Sequence, residues 1–513
     1  MIVGTSQGRV EGREEGGAWS FRGIPYAAST AAAARFRPPI PPEPWAGVRA
    51  ATRSGPISPQ KPGLMSRILG DGGARPGEDC LSLNVFTPVG AGARRPVLVW
   101  IHGGGFNTGA GSLPVYDAAA LAWRGDLVVV TLNYRLGALG FLYLPELAAE
   151  AGGAPGNFGL LDQIAALEWV RENVAAFGGD PERVTLAGQS AGAMCIGTLL
   201  GLPAGSAARG LFARAILQSG AGRNVHSAEQ AARVASAFLE EAGVRRGPGS
   251  PAALRALPVE AVLAAQERTS LRLRRELDDP AFQPVLDGAL LPATPPAVPP
   301  EASAEGLPLL IGTNRDEWRF YGLGDPKAAL LDEAGLLRRF RRGLPGRDSQ
   351  GGELAARVIE TYRAARRGRA GVSPTELWFA IQTDRWFRHP AMQLAEAQAA
   401  RGGETYAYLF EWASPAFGGT LGSCHALDVP FVFGGVDTPR LQPLLGQGEA
   451  VRALSEQIQA AWCGFVRGEV PAHPELPDWP RYDAGRRATL VLGAQSRVVD
   501  APQERERAFW DRL

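Results

Sequence analysis

Val184-Thr185-Leu186-Ala187-Gly188-Gln189-Ser190-Ala191-Gly192-Ala193-Met194-Cys195-Ile196 decides the fold. Val184–Gly188 is an apolar run of strand length, and Met194, Ile196, Leu199 and Leu200 open an apolar helix. Between them a serine sits in a G-x-S-x-G turn too tight for a Cβ on either side. Such a turn lifts the hydroxyl above the carboxyl edge of a sheet and aims a helix N-terminus at developing negative charge. The five-residue pattern alone is weak, because 65 glycines produce it by chance. Gly4-Thr5-Ser6-Gln7-Gly8 also matches, but without room for a preceding sheet strand and with Arg9-Val10-Glu11-Gly12 in place of a helix. Ser6 is therefore read as a turn serine and Ser190 as the candidate nucleophile.

Outward from this turn, Val97–His102, Leu127–Asn133, Arg214–Ser219 and Leu307–Gly312 are near-continuous apolar runs, as expected of central parallel strands covered on both faces. Helix-period segments alternate with them. Leu160, Leu161, Ile164, Leu167 and Val174 mark one helix, and Ser227 with Gln230 forms a capping box for another. From about residue 325 to about 402 the strand rhythm gives way to Arg-, Ala- and Leu-rich helical patterning, an expected helical insertion over the sheet. Strand character returns at Thr405–Phe410 and Thr489–Leu492, with a helix from Ala450 to Val466 between them. The expected class is α/β, a large mostly parallel sheet with helices on both faces. The length admits two domains or one large elaborated α/β unit, and no internal repeat divides the chain; the single domain over residues 1–513 is the expectation taken.

Composition narrows the function. With 53 basic and 52 acidic residues the net charge is +1, and no run of five or six like charges occurs. Neither nucleic acid nor an anionic membrane is an expected partner. No apolar stretch approaches the ~18 residues that span a bilayer, and the segment Met1–Gly17, with Arg9, Glu11, Arg13, Glu14 and Glu15, does not read as a signal peptide. Cys80, Cys195, Cys424 and Cys463 lack metal-ligand spacing. A reduced cytoplasmic protein with no metal and no cofactor is expected, and its oligomeric state is not legible.

Directly after Val97–Ile101 comes His102-Gly103-Gly104-Gly105-Phe106. Three adjacent glycines let backbone N–H groups face a site unobstructed, as stabilisation of a tetrahedral oxyanion requires. The N–H groups of Gly104, Gly105 and Ala191 are assigned to that hole, with His102 holding the loop by hydrogen bonding. A base must follow Ser190 in the order serine, acid, histidine. His226, His389 and His473 stand in helix-start, turn-like and loop contexts, which leaves His425 in a polar loop entering Val429–Gly434. The acid is Asp316 or Glu317, just past the strand Leu307–Gly312; either could fix the imidazole tautomer. Cys195 and Cys424 are read as buried packing rather than nucleophiles.

Taken with Gly23-Ile24-Pro25-Tyr26-Ala27, Glu78-Asp79-Cys80-Leu81-Ser82-Leu83-Asn84-Val85, Asn133-Tyr134-Arg135-Leu136-Gly137, Phe177-Gly178-Gly179-Asp180-Pro181 and Leu217-Gln218-Ser219-Gly220, the whole chain resembles the type-B carboxylesterases. These form the carboxylesterase and cholinesterase family, and the likeness is strongest to its bacterial para-nitrobenzyl esterase branch. The resemblance implies the α/β-hydrolase fold and a Ser190-His425-Glu317 triad, with Glu317 taken over Asp316. It implies Ser219 as a serine beside the acid and Arg35–Glu78 and Arg135–Asp162 as structural ion pairs. It further implies hydrolysis of small to medium, largely uncharged esters. In similar hydrolases a Gly-Gly-Gly loop goes with esters of tertiary alcohols. Three departures stand out: Gln189 replaces the usual Glu, which is expected to change local charge without touching the mechanism. No cysteine precedes Cys80 to make the bridge of secreted members, and residues 51–77 lack the tryptophan of a choline platform. The family also contains catalytically silent adhesion modules; these generally lack the serine that this chain retains.

Overall fold

A computed structural model describes residues 1–63, 68, 70, 72–90, 94–148, 153, 155–202, 206, 208, 210–274, 276–277, 279–292, 306–343, 349–368 and 372–512. Its strands in chain order are β1 Ile2–Thr5, β2 Gly8–Glu11, β3 Arg13–Glu15, β4 Ala18–Pro25, β5 Val48–Ala50, β6 Ser82–Pro88 and β7 Arg95–Ile101. They continue as β8 Val128–Leu132, β9 Gly179–Gln189, β10 Arg214–Gln218, β11 Leu309–Asn314, β12 Thr405–Phe410, β13 Ala488–Leu492 and β14 Arg497–Asp500. Among the described residues eleven of them form one sheet, ordered β14-β13-β12-β11-β10-β9-β7-β8-β6-β4-β3. The stretch from β13 to β8 is parallel, and β14, β6, β4 and β3 add antiparallel edges. This is the expected α/β architecture.

Side-chain alternation divides the interior in two. Along β7, Val97, Val99 and Ile101 enter one core while Leu98 and Trp100 enter the other, because successive Cβ atoms leave opposite faces of a strand. The first core takes the helix Phe158–Asn173 through Leu160, Ile164 and Leu167, and the helix Ala191–Leu200 through Ile196 and Leu199. The second takes the helix Glu449–Arg467 through Leu454, Ile458 and Trp462. Both faces being covered explains why the parallel strands read as unbroken apolar runs. The capping box at Ser227 is present, with both hydrogen bonds made.

Within the insertion the described helices are Glu333–Gly343, Ser349–Ala365, Pro374–Thr383 and His389–Ala400, with a π-helical turn at Asp384–Arg388. Residues 344–348 and 369–371 of the expected span lie outside the described residues. Leu336, Phe340, Val358, Tyr362, Leu377 and Ile381 form a third core, joined by Phe509 and Trp510 of the helix Glu504–Trp510. His389–Ala400 returns to the sheet, placing Leu394 and Ala395 in the first core.

Two readings need correction. Ser6 does follow a strand: β1 and β2 form a hairpin that, with β5, makes a separate three-stranded sheet. It remains a turn serine, its N–H and hydroxyl both held by Asn173 Oδ1, at 2.7 and 3.1 Å. His389 opens a helix rather than standing in a turn, since the π turn before it carries the chain directly into His389–Ala400.

Candidate active site

Parallel strands end together, so β7, β9, β10 and β11 deliver their following turns to one edge of the sheet, the usual location of sites in open α/β folds. At the end of β9 the turn is strained. Ser190 has φ 55° and ψ −127°, a combination that costs of order 1–3 kcal/mol and persists only where neighbours over-determine it. Gly188 and Gly192 permit it, since an added Cβ would lie 2.8 and 2.1 Å from the Ile101 carbonyl oxygen.

The hydroxyl Oγ of Ser190 lies 2.8 Å from Nε2 of His425, and Nδ1 of His425 lies 2.6 Å from Oε2 of Glu317. All three are buried, Glu317 completely. Glu317 Oε1 accepts the Asn314 N–H at 2.7 Å, which leaves Oε2 for the imidazole. The neighbouring acid has a different task. Asp316 Oδ2 accepts the Ser423 N–H at 3.0 Å, and the Asp316 N–H donates to the Ser423 carbonyl at 2.9 Å. Asn314 Nδ2 donates to the Cys424 carbonyl at 2.6 Å. Asp316 and Asn314 therefore clamp the backbone that carries His425, while Glu317 faces its ring. Arg388, paired with Asp384, donates to the Arg315 carbonyl at 2.9 Å and ties the insertion to the acid's turn.

The glycine loop after β7 is held from several sides. His102 Nδ1 contacts the Gly103 carbonyl at 2.7 Å, as expected, and its ring stacks on Tyr134 with centroids 4.6 Å apart. Tyr134 in turn donates to the His102 carbonyl. Burial pushes the His102 imidazole down to about 4, so it stays neutral near pH 7. Asn107 and Thr108 both donate backbone N–H groups to the Gly104 carbonyl. Gly104 and Gly105 have φ of 121° and 60°, in the region that favours glycine. Among the described residues the N–H groups of Gly104, Gly105 and Ala191 donate to no protein acceptor. The three glycines are not equivalent. An added Cβ would strike Ser190 Cβ at 2.9 Å from Gly103 and the Thr108 carbonyl at 2.0 Å from Gly104, yet meets nothing within 4 Å from Gly105.

Ser190, Gly105 and Phe106 border a cavity of about 360 Å³ whose wall includes Trp318, Tyr321, Trp386 and Phe387. Phe387 packs 4.8 Å from the His425 ring. The π turn carries Trp386 and Phe387, a device frequent at functional positions. No motif announced these four aromatics: Trp318 and Tyr321 follow the acid's turn, and Trp386 and Phe387 repeat a tryptophan–phenylalanine pair that the insertion also carries at Trp378 and Phe379. A larger cavity of about 740 Å³ lies behind the acid's turn, lined by paired charges such as Arg319 with Glu376 and Arg497 with Glu411. It contains none of Ser190, His425 or the glycine loop.

Other assigned residues fall as follows. Ser219 is fully buried past β10 with φ 53°, and its Oγ has no partner among the described residues. Arg135 and Asp162 are buried and doubly bonded at 2.6 and 2.8 Å, and Arg35 bonds both oxygens of Glu78 at 2.6 Å. All four cysteines are buried and free, and burial pushes each thiol up to about 12, unlike a nucleophilic cysteine. Among the described residues no three His, Cys, Asp or Glu side chains group to hold a metal. Gln189 differs from expectation: its amide Nε2 lies 3.2 Å from Nε2 of His425, in contact with the imidazole rather than merely neutral beside it.

Sheet order, strand–turn–helix serine and glycine loop together define an α/β-hydrolase. The sequence profile of the carboxylesterase family matches residues 1–510, and the chain belongs to that family. It is 38% identical to the para-nitrobenzyl esterase of Bacillus subtilis over 99% of this chain and 98% of that one. It is 37% identical to the phenmedipham hydrolase of Pseudarthrobacter oxydans, over 97% and 96%. The crystal structure of a Geobacillus stearothermophilus carboxylesterase superposes with a TM-score of 0.87 at 39% identity, covering 99% of both chains. The protein is a carboxylic-ester hydrolase.

Proposed function

We propose that the protein cleaves small to medium, largely uncharged carboxylic esters through an acyl-enzyme on Ser190. The observation that carries this reading is the pair of contacts, 2.8 Å from Ser190 Oγ to His425 Nε2 and 2.6 Å from His425 Nδ1 to Glu317 Oε2. His425 takes the Ser190 proton as Oγ attacks the ester carbonyl. Glu317 holds Nδ1–H and stabilises the imidazolium. The carbonyl oxygen, now negative, is received by the N–H groups of Gly104, Gly105 and Ala191 at the start of the helix Ala191–Leu200. His425 then protonates the departing alcohol. A water, deprotonated by the same nitrogen, attacks the acyl-enzyme and releases the acid. No bound group is required for any of these steps.

The cavity's size and its aromatic wall of Trp318, Tyr321, Trp386 and Phe387 support esters of modest length, and the opposite charges of Arg274 and Asp279 on its lining leave it without a net charge to select a charged ester. The names of two relatives above, a para-nitrobenzyl esterase and a carboxylesterase, support ester hydrolysis. We read residues 1–513 as one domain acting in the cytoplasm; four free thiols suit a reducing compartment. No described helix is long and apolar enough to cross a membrane. Ser190→Ala is expected to keep the fold and lower 4-nitrophenyl ester hydrolysis at least 1000-fold, by removing the only group able to carry the acyl intermediate. Ser6→Ala is expected to change nothing. A Ser190→Ala enzyme retaining a tenth of the turnover would contradict the assignment, and a silent adhesion module would show no turnover in either form.

A further inference from the structure

The imidazole of His425 is approached by two hydrogen-bond donors. With Nδ1–H committed to Glu317, Nε2 presents a single in-plane lone pair. Ser190 Oγ stands 2.8 Å from it and Gln189 Nε2 stands 3.2 Å from it. The amide of Gln189, 2% exposed, has little freedom. A Cβ at Gly103 would fall 2.7 Å from its Oε1, so the side chain is wedged between the glycine loop and the imidazole.

We propose that Gln189 is a positioning residue for the base: its wedged, neutral side chain confines the imidazole of His425 beside Ser190 and keeps Nε2 free of a proton at lower pH than a carboxylate there would allow. This inference rests on His425 acting as base. The physical reason is charge. A carboxylate within about 4–6 Å favours imidazolium, whereas an amide adds no charge in either state and is able to turn its oxygen toward Nε2–H once the proton has moved. The other groups facing His425 are already acidic. Glu317 holds Nδ1, Asp316 clamps the His425 loop, and Asp428, one turn on, has its carboxyl raised by burial and by Glu317. Tyr321 and Phe387 pack on the ring, the Tyr321 hydroxyl being a neutral group there. Cys424 adjoins His425 in sequence, and its thiol is raised by burial, as is the hydroxyl of Tyr408, which donates to Asp428. The cations of this region, Arg315, Arg319 and Arg388, are engaged by Asp316, Glu376 and Asp384. Nothing among them opposes the charge that a further carboxylate would add.

The test is the pH dependence of kcat/KM for 4-nitrophenyl acetate in wild type and Gln189→Glu, with fluorophosphonate labelling of Ser190 as a control. Gln189→Glu is expected to move the acidic limb upward by about one pH unit, the effect of one nearby charge, while labelling reaches one equivalent above the limb. A limb that stays within 0.2 units in a folded, fully labelled variant overturns the role of Gln189. Loss of labelling from wild type itself overturns the acyl-enzyme reading instead. If the buried carboxylate prevents folding, Gln189→Met carries the test: similar in length and uncharged, it is expected to lower kcat about fivefold, the worth of one hydrogen bond, with KM unmoved and the acidic limb displaced upward, because the donor to unprotonated Nε2 is gone. An unchanged kcat would overturn the proposal.

Discussion

A serine becomes a candidate nucleophile here through what surrounds it, and the two G-x-S-x-G copies demonstrate this. Ser6 sits in a hairpin turn with its hydroxyl on Asn173, while Ser190 sits in a strained turn with its hydroxyl on His425. The adjacent acids Asp316 and Glu317 divide in the same way. Sequence alone left them equivalent, because which of two neighbouring side chains faces the imidazole depends on the turn after β11. At this scale His102 carries a pH prediction. Buried and neutral, it is pushed from the usual 6.5 to about 4, so below pH 6.5 the unfolded chain binds a proton that the folded chain refuses. Stability is therefore full above about pH 6.5 and falls as pH drops toward 4, by roughly 3 kcal/mol from this residue. His226 and His389, also pushed down by burial, act with the same sign. Urea midpoints at pH 7 and 4.5 are expected to differ less in His102→Phe than in wild type, even if the variant is weaker at pH 7. Equal slopes would contradict this account of His102.

Among elements, the parallel strands were legible because covering both faces of a sheet makes each strand apolar throughout. Their ends were less so. β9 begins at Gly179, five residues before the apolar run: Gly179 pairs with Arg95 of β7, and after a shift of register the pairing resumes at Val184 opposite Val97. The π turn at Asp384–Arg388 was not legible, because one extra backbone residue leaves no mark on helical periodicity. The glycine loop was legible as a motif but not in its division of labour. Gly103 and Gly104 lack side chains because the loop packs against the serine turn and against itself. Only Gly105 leaves open space on the cavity side. That opening is expected to admit the quaternary carbon of a tertiary alcohol. The enzyme should release tert-butanol from tert-butyl acetate, more slowly than n-butanol from n-butyl acetate. Gly105→Ala should depress the tertiary reaction more than the primary one, a misplacement of ~1 Å costing up to about 100-fold. Ready cleavage of n-butyl acetate with no detectable tert-butanol by gas chromatography would refute the argument for Gly105.

At the scale of the whole molecule, Ser190, Glu317 and His425 come from separate crossovers of the sheet, with 235 positions between Ser190 and His425 and 108 between Glu317 and His425. Order and motif pointed to them; only the folded sheet edge accounts for their meeting. The cavity wall was the least legible part, since Trp386 and Phe387 reach it from an insertion with its own core, and spacing in such a segment carries no information about shape. The central claim is that these three side chains act as one acyl-transfer relay, and it is tested most directly by covalent trapping. A fluorophosphonate added to the native enzyme, followed by intact mass and peptide mapping, is expected to attach one equivalent to Ser190 with complete loss of esterase activity. Labelling should slow at least 100-fold in His425→Ala, because the unassisted hydroxyl is a weak nucleophile. Full labelling with activity retained, a label on any other residue, or an undiminished rate in His425→Ala would contradict the relay.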